Sequence, residues 1–352
     1  MLNNIKKDIR ALSKEDLRVF FETNNLRTFR ADQVYKWLWN KGVHDFDQMT
    51  NLSISNRKLL QEFFVINNIK VDHQQKSIDG TVKNAVKLFD NNIVESVLIP
   101  SKDRTTACVS SQVGCSLDCK FCATSKLKRM RNLNPDEIYD QVNIIDKQSK
   151  LYFNKPLSNI VFMGMGEPLM NYNNVIKSIE KITSSSGLGM SPKRITLSTV
   201  GIPKLIKKMA DDKVKFNLAI SLHSAIQNIR ESIMPFSDKF TIEELIDSLK
   251  YWFFITKRIV TFEYIVFKGI NDQESDILAL IELCKKIPSK VNLIEYNSIG
   301  EKQFERASKE AIENYQKLLN NSKIVNTIRK SRGNDIDAAC GQLANKSLKK
   351  QF

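Results

Sequence analysis

From Ala107 onward, short apolar runs alternate with amphipathic helical patterns, and no other feature restricts the chain's fold so tightly. The expected strands are Ala107 to Gln112, Asn159 to Met163, Arg194 to Thr199, Phe216 to Leu222, Val260 to Phe267 and Val291 to Tyr296. The 3.6-residue period predicts helices over Pro135 to Gln148, Asn173 to Thr183, Pro203 to Asp211, Ile242 to Phe253, Glu274 to Lys285 and Lys309 to Leu319. Successive strand–helix units imply parallel strands with crossover helices, hence an α/β barrel or an open parallel sheet. Chemistry in such folds sits at the carboxyl ends of the strands.

The loop after the first expected strand carries the strongest chemical signal. In QVGCSLDCKFCA, Cys115, Cys119 and Cys122 are spaced so that one short loop can aim three thiolates at one centre, and a fourth protein ligand is missing. A structural zinc site wants four ligands, whereas a four-iron, four-sulfur (4Fe-4S) cluster held by three cysteines leaves one iron open. The pattern therefore favours an iron–sulfur cluster over a zinc knuckle or three core thiols. Phe121 puts a flat apolar ring where it can pack beside such a centre.

Other expected strand ends carry polar groups. The turn Gly164-Met165-Gly166-Glu167-Pro168 lets backbone approach a ligand closely, and Glu167 can accept from an ammonium group. Ser198 in TLSTVG, Ser221, Leu222 and His223 in AISLHS, and Asn297 in IEYNS lie at further strand ends, where hydroxyl, imidazole and carboxamide can bind a nucleoside cofactor. We assign His223 to cofactor binding rather than acid–base work.

CxxxCxxC with an aromatic before the third cysteine resembles the signature of the radical S-adenosylmethionine (SAM) enzymes. The resemblance implies a partial, TIM-like (β/α)6 barrel, a 4Fe-4S cluster on Cys115, Cys119 and Cys122, and SAM chelated at the open iron and cleaved to a 5′-deoxyadenosyl radical. It also implies that the turn holding Gly166 and Glu167 contacts the SAM amino group.

Along the rest of the chain, residues 1–70 read as a small helical domain, either a bland module or an RNA-docking one. Ser13 and Asp16 stand at capping-box spacing, and an amphipathic segment from Ala31 to Trp39 has Val34, Trp37 and Leu38 as its buried stripe. Residues 71–100 read as connecting strands, with Val82, Val86 and Leu88 set against Lys83 and Lys87. Residues 101–334 form the expected core barrel, and 335–352 a C-terminal loop and tail containing Cys340. Cys284 reads as a helix core residue, and core thiols are also the ordinary reading of Cys108 and Cys340 taken singly.

Lys and Arg outnumber Asp and Glu by 54 to 39, for a net charge of +15, which favours a polyanionic partner. Lys102, Arg104, Lys126, Lys128, Arg129 and Arg131 flank the cysteine loop and are candidate phosphate contacts. No stretch approaches the apolar length of a membrane span, and the N-terminus lacks the apolar block of a signal peptide. A cytoplasmic protein is the expectation, and nothing suggests an obligate assembly, so a monomer is expected.

GMGEPLMNYNNV, TFEYIVFKGIND and SRGNDIDAACGQL resemble the RlmN family of dual-specificity RNA adenine methyltransferases over nearly the whole chain. The resemblance implies methylation of adenine carbon 2 in 23S ribosomal RNA and in transfer RNA beside the anticodon. It further implies two SAM molecules per turnover and an electron donor such as flavodoxin or ferredoxin. Cys340 would carry the methyl, Cys108 would resolve a protein–RNA adduct by forming a disulfide with it, and Glu95 would be the general base. Ser125 and Lys128 stand where the family commonly has Gly. The sister family acting at carbon 8, the Cfr-like resistance type, shares the cluster and both extra cysteines. It typically has Ala where Pro168 stands, so GMGEPL and SRGND favour carbon 2. A non-catalytic, zinc-containing RNA-binding protein would explain the basic charge and the cysteine loop but not Cys340.

Overall fold

A computed structural model describes residues 6–345; the first five residues of the expected N-terminal stretch and the last seven of the expected tail lie outside the described residues. The chain begins with Lys7–Asp8, which pairs in parallel with Phe64–Val65. Between these come α1 (Lys14–Thr23), α2 (Arg30–Lys36) and α3 (Ile54–Phe63). The capping box forms as expected: Asp16 N donates to Ser13 Oγ at 3.0 Å and Ser13 N to Asp16 Oδ2 at 2.8 Å. The segment from Ala31 to Trp39 is not one regular helix. It widens into a π turn over Trp37–Lys41, which rotates the stripe so that Val34, Leu38 and Trp39 are buried and Trp37 is half-buried.

Strands β1 (Lys70–Lys76), β2 (Val82–Lys87), β3 (Ile93–Pro100) and β4 (Thr105–Cys108) form an antiparallel meander. The residues expected to connect two domains thus extend the core sheet itself. β4 pairs in parallel with β5 (Asn159–Phe162), and β6 (Ile195–Thr199), β7 (Asn217–Ser221), β8 (Val260–Val266), β9 (Ser289–Glu295) and β10 (Asn326–Arg329) follow in chain order, all parallel. The ten strands run from edge to edge as β10 to β1, so the sheet does not close on itself. β10 extends the parallel run by one strand beyond the expected set. β4 stops at Cys108, earlier than expected, and Gln112–Val113 leaves the sheet to pair antiparallel with Arg131–Asn132.

The crossovers are α4 (Pro135–Phe153), α5 (Tyr172–Thr183), α6 (Pro203–Asp211), α7 (Gln227–Ile233), α8 (Ile242–Thr256), α9 (Glu274–Lys285) and α10 (Lys309–Asn321). The longer ones bury an apolar face in the core; in α5 this is Val175, Ile179 and Ile182, each worth roughly 1.5–3 kcal/mol on burial. Cys284 is buried in α9, as expected. Among the described residues no helix is long and apolar enough to cross a membrane.

The N-terminal region docks on α4 through a buried cation. Arg10 donates to Asp140 Oδ2 at 2.7 Å and to Asp136 Oδ2 at 3.1 Å. Beside this cluster Trp39 packs edge-on against Tyr139 of α4, with ring centroids 5.3 Å apart.

Candidate active site

The carboxyl ends of β5 to β10 surround a cavity of about 150 Å³. Its wall includes Cys115, Cys119 and Cys122, and also Gly166, Glu167, Ser198, Ser221 and His223, so one space collects groups widely separated in sequence. Leu222 is fully buried in the core beside this wall, and its N–H is spent on Glu263 O at 3.0 Å.

The cysteine loop is held by its own backbone and by Ser125. Cys122 N donates to Cys119 O at 3.1 Å, and Ser125 Oγ lies 2.7 Å from both Cys119 O and Cys122 O. The hydroxyl that departs from the family's usual Gly thus ties the loop's two carbonyls together. Burial pushes the Cys115 thiol up to about 12 and the Cys119 thiol well above its ordinary value. Thiols raised in this way ionise when a cationic metal centre compensates them. Among the described residues no group of His, Cys, Asp or Glu is gathered as a single-ion site. Three thiols lining one cavity are the donor set of a cluster that takes each cysteine on its own iron, and they fit it.

Gly166 has φ +94°, and a Cβ there would lie 2.5 Å from Gln112 Cβ and 2.8 Å from Gln112 N. Only glycine lets this turn press against the strand that leads into the cysteine loop. Gln112 Oε1 accepts from Glu167 N at 2.9 Å, which locks the two together. The Glu167 carboxylate is buried, and burial raises its pKa. It accepts from Leu169 N and Val200 N, each at 3.0 Å, so part of its capacity fixes the turn and the rest remains for a ligand.

His223 accepts at Nδ1 from Ile265 N at 3.1 Å, which leaves Nε2 as the N–H donor. Burial, assisted by Arg230, drives its pKa down to about 3, so the imidazole stays neutral, in keeping with a binding role. Phe121 packs edge-on against this ring at 4.7 Å.

A second cavity lies behind the first and is lined by Cys108, Asn297, Arg329 and Cys340. Cys340 and Arg329 line both spaces. Both cysteines are free thiols. Burial, with a contribution from Cys340, pushes the Cys108 thiol up to about 12, while Arg329 pulls the other way; Cys340 is raised by burial and lowered by the same guanidinium. Asn297 stands off the first cavity and donates to Cys340 O at 3.3 Å, bracing the loop instead.

Glu95 is fully buried and faces neither cavity. Its Oε1 is 3.3 Å from Lys83 Nζ, and Oε2 accepts from Ala344 N at 2.8 Å and Asn345 N at 3.0 Å. Lys83, expected on the polar side of its strand, is itself buried by this pairing. Among the candidate phosphate contacts, Arg131 is spent on Asp90 at 2.6 Å and Glu137 at 2.7 Å, and Lys126 pairs with Glu301, whereas Lys128 and Arg129 are exposed.

Three charged residues escaped the sequence reading, Arg230, Glu263 and Arg329, and Lys83 was read as solvent-facing. Glu263 holds Arg329 at 3.2 Å, and Arg230 is a fully buried guanidinium that donates to Val200 O at 2.6 Å. For Glu263 the available signal was a charge inside an otherwise apolar strand, VTFEYIV.

Comparison with known proteins fits this geometry. Residues 7–66 match the family model of the ribosomal RNA large subunit methyltransferase N-terminal domain, and residues 109–281 that of the radical SAM superfamily. A protein of Flavobacterium psychrophilum named probable dual-specificity RNA methyltransferase RlmN is 65% identical, covering 97% of this chain and 99% of its own. The dual-specificity RNA methyltransferase RlmN of Marinobacter nauticus is 41% identical, covering 96% and 92%. The crystal structure of a radical SAM methyltransferase from Sphaerobacter thermophilus superposes with a TM-score of 0.90 at 33% identity, covering 96% of this chain and 99% of that one.

Proposed function

This chain belongs to the RlmN family of radical SAM RNA methyltransferases, and on that premise we propose that it forms 2-methyladenosine in 23S ribosomal RNA and in transfer RNA beside the anticodon. The observation that carries the reading is the position of Cys340, which lines both the cavity of the three cysteines and the cavity of Cys108. A methyl carrier has to serve two places, one where it is loaded and one where it is released.

Cys115, Cys119 and Cys122 would hold a 4Fe-4S cluster, and Gly166, Glu167, Ser198, Ser221 and His223 would hold SAM. When bound, the cluster and SAM supply the one-electron chemistry that activates an otherwise inert methyl group. Adenine carbon 2 has no lone pair with which to attack a sulfonium methyl, so the protein has to carry the carbon itself. Cys340, as a thiolate, takes the methyl by displacement, forming a carbon–sulfur bond as the sulfonium bond breaks. Arg329 stands beside this sulfur and favours its charged form. After the carbon has joined the ring and the adduct has given up one electron, Glu95 would remove the ring proton, which requires its carboxylate to be released from Ala344 N and Asn345 N. Cys108 then attacks the Cys340 sulfur, the sulfur–carbon bond breaks with its electron pair passing to the adenine, the exocyclic carbon takes up a proton to become the methyl group, and a disulfide remains. One SAM supplies the methyl and a second the activation, so two are used per turnover. Reduction comes from a small electron-transfer protein such as flavodoxin or ferredoxin, and the reducing cytoplasm restores the thiols. The enzyme acts as a monomer.

The test is mass analysis of nucleosides from digested RNA of a deletion strain and its parent. The reading predicts that 2-methyladenosine disappears from ribosomal and transfer RNA in the deletion. Loss of 8-methyladenosine, or no change, would overturn it.

A further inference from the structure

Lys83 on β2 and Glu95 on β3 lie diagonally across an antiparallel pair, since Lys83 is opposite Val97 and Glu95 is two residues from Val97 on the same face. Both are buried, and Nζ stands 3.3 Å from Oε1. The pair reaches the C-terminal loop on both sides of Cys340. Lys83 Nζ donates to Asp337 O at 3.4 Å, three residues before the cysteine, and Glu95 Oε2 accepts from Ala344 N and Asn345 N, four and five residues after it.

We propose that Lys83 is a positioning residue which, through Glu95, seats the loop that presents Cys340 between the two cavities. The physical need is plain. The loop's backbone groups at this point are taken up by β2 and β3 rather than by regular structure of their own, and a carboxylate accepting two N–H groups makes bonds roughly twice as strong as neutral ones. That carboxylate is compensated and held in place by Lys83. Without Lys83 the buried carboxylate loses its counter-ion and turns away, and the loop loses its anchor. The role rests on the methyl-carrying function proposed for Cys340.

Hydrogen exchange by mass spectrometry on the cluster-loaded protein, without RNA, tests this directly. In Lys83→Met, the amides of Ala344 and Asn345 are expected to exchange about tenfold faster than in the parent, while those of Leu218 to Ile220 in β7 stay as slow as before. Lys83→Arg is expected to restore most of the protection. Unchanged exchange at Ala344 and Asn345 would overturn the proposal, as would equal acceleration in β7, which marks general destabilisation. If Lys83→Met does not fold, Lys83→Met/Glu95→Gln removes both charges at similar volume and is read the same way, with faster exchange expected and parental exchange refuting. Because exchange needs no turnover, the clamp can fail while the RNA product is still 2-methyladenosine, and the product can be wrong while the clamp holds.

Discussion

Gly166→Ala puts the largest local demand on the site for the smallest chemical change. At φ +94° an alanine leaves the ordinary allowed regions, at about 1–3 kcal/mol. Its methyl would also meet Gln112 Cβ at 2.5 Å and Gln112 N at 2.8 Å, and the second contact is with backbone that cannot swing aside. Overpacking of this kind adds about 1–3 kcal/mol, so the expected loss of folding stability is about 2–6 kcal/mol. Gly189 separates the two costs, because it has φ +65° with nothing within 4 Å of an added Cβ, and Gly189→Ala should lose only about 1–2 kcal/mol. Whatever part of the strain is relieved by moving the turn displaces Glu167, whose N–H is held by Gln112. Anaerobic denaturant unfolding and calorimetric SAM titration of both variants provide the measurement. Gly166→Ala should be the less stable and bind SAM at least tenfold more weakly, and Gly189→Ala should bind as the parent does. Equal stability and equal SAM affinity in the two variants would refute the close-approach argument.

Other substitutions probe other layers. Replacing Cys115, Cys119 or Cys122 by Ala should abolish bound iron and SAM cleavage, read by iron assay and by release of 5′-deoxyadenosine; normal iron in any of them removes that cysteine from the ligand set. Arg10→Met leaves Asp136 and Asp140 buried without their cation and should cost about 3–5 kcal/mol, measured by denaturant unfolding. Ser125→Gly removes the one hydroxyl proton shared between Cys119 O and Cys122 O, worth about 0.5–1.5 kcal/mol, and should hasten cluster loss on exposure to a chelator.

The parallel core was legible because its strands and crossovers obey clean periods, and five of the six expected strands overlap observed ones almost end to end. The first ended early because Ser110, at which the chain turns out of the sheet, binds Glu95 O through its hydroxyl at 2.6 Å, a tertiary contact no local pattern encodes. β10 escaped because NTIR is short and ends in a charge whose partner, Glu263, lies far away in sequence. Lys83 was misjudged for the same reason: alternation marks a lysine as solvent-facing unless its buried counter-ion is known. The cysteine trio was legible from spacing alone. The nearness of Cys108 to Cys340 was expected from family resemblance only, since hundreds of residues separate them and only the fold brings both to one cavity.

The most direct measurement is mass spectrometry of Cys108→Ala protein isolated from cells and digested with protease and nuclease. The account predicts that the peptide containing Cys340 carries an adenine nucleotide through one added carbon, and that the parent protein carries no such adduct. Free turnover by Cys108→Ala with an unmodified Cys340, or an adduct on any other residue, would contradict it.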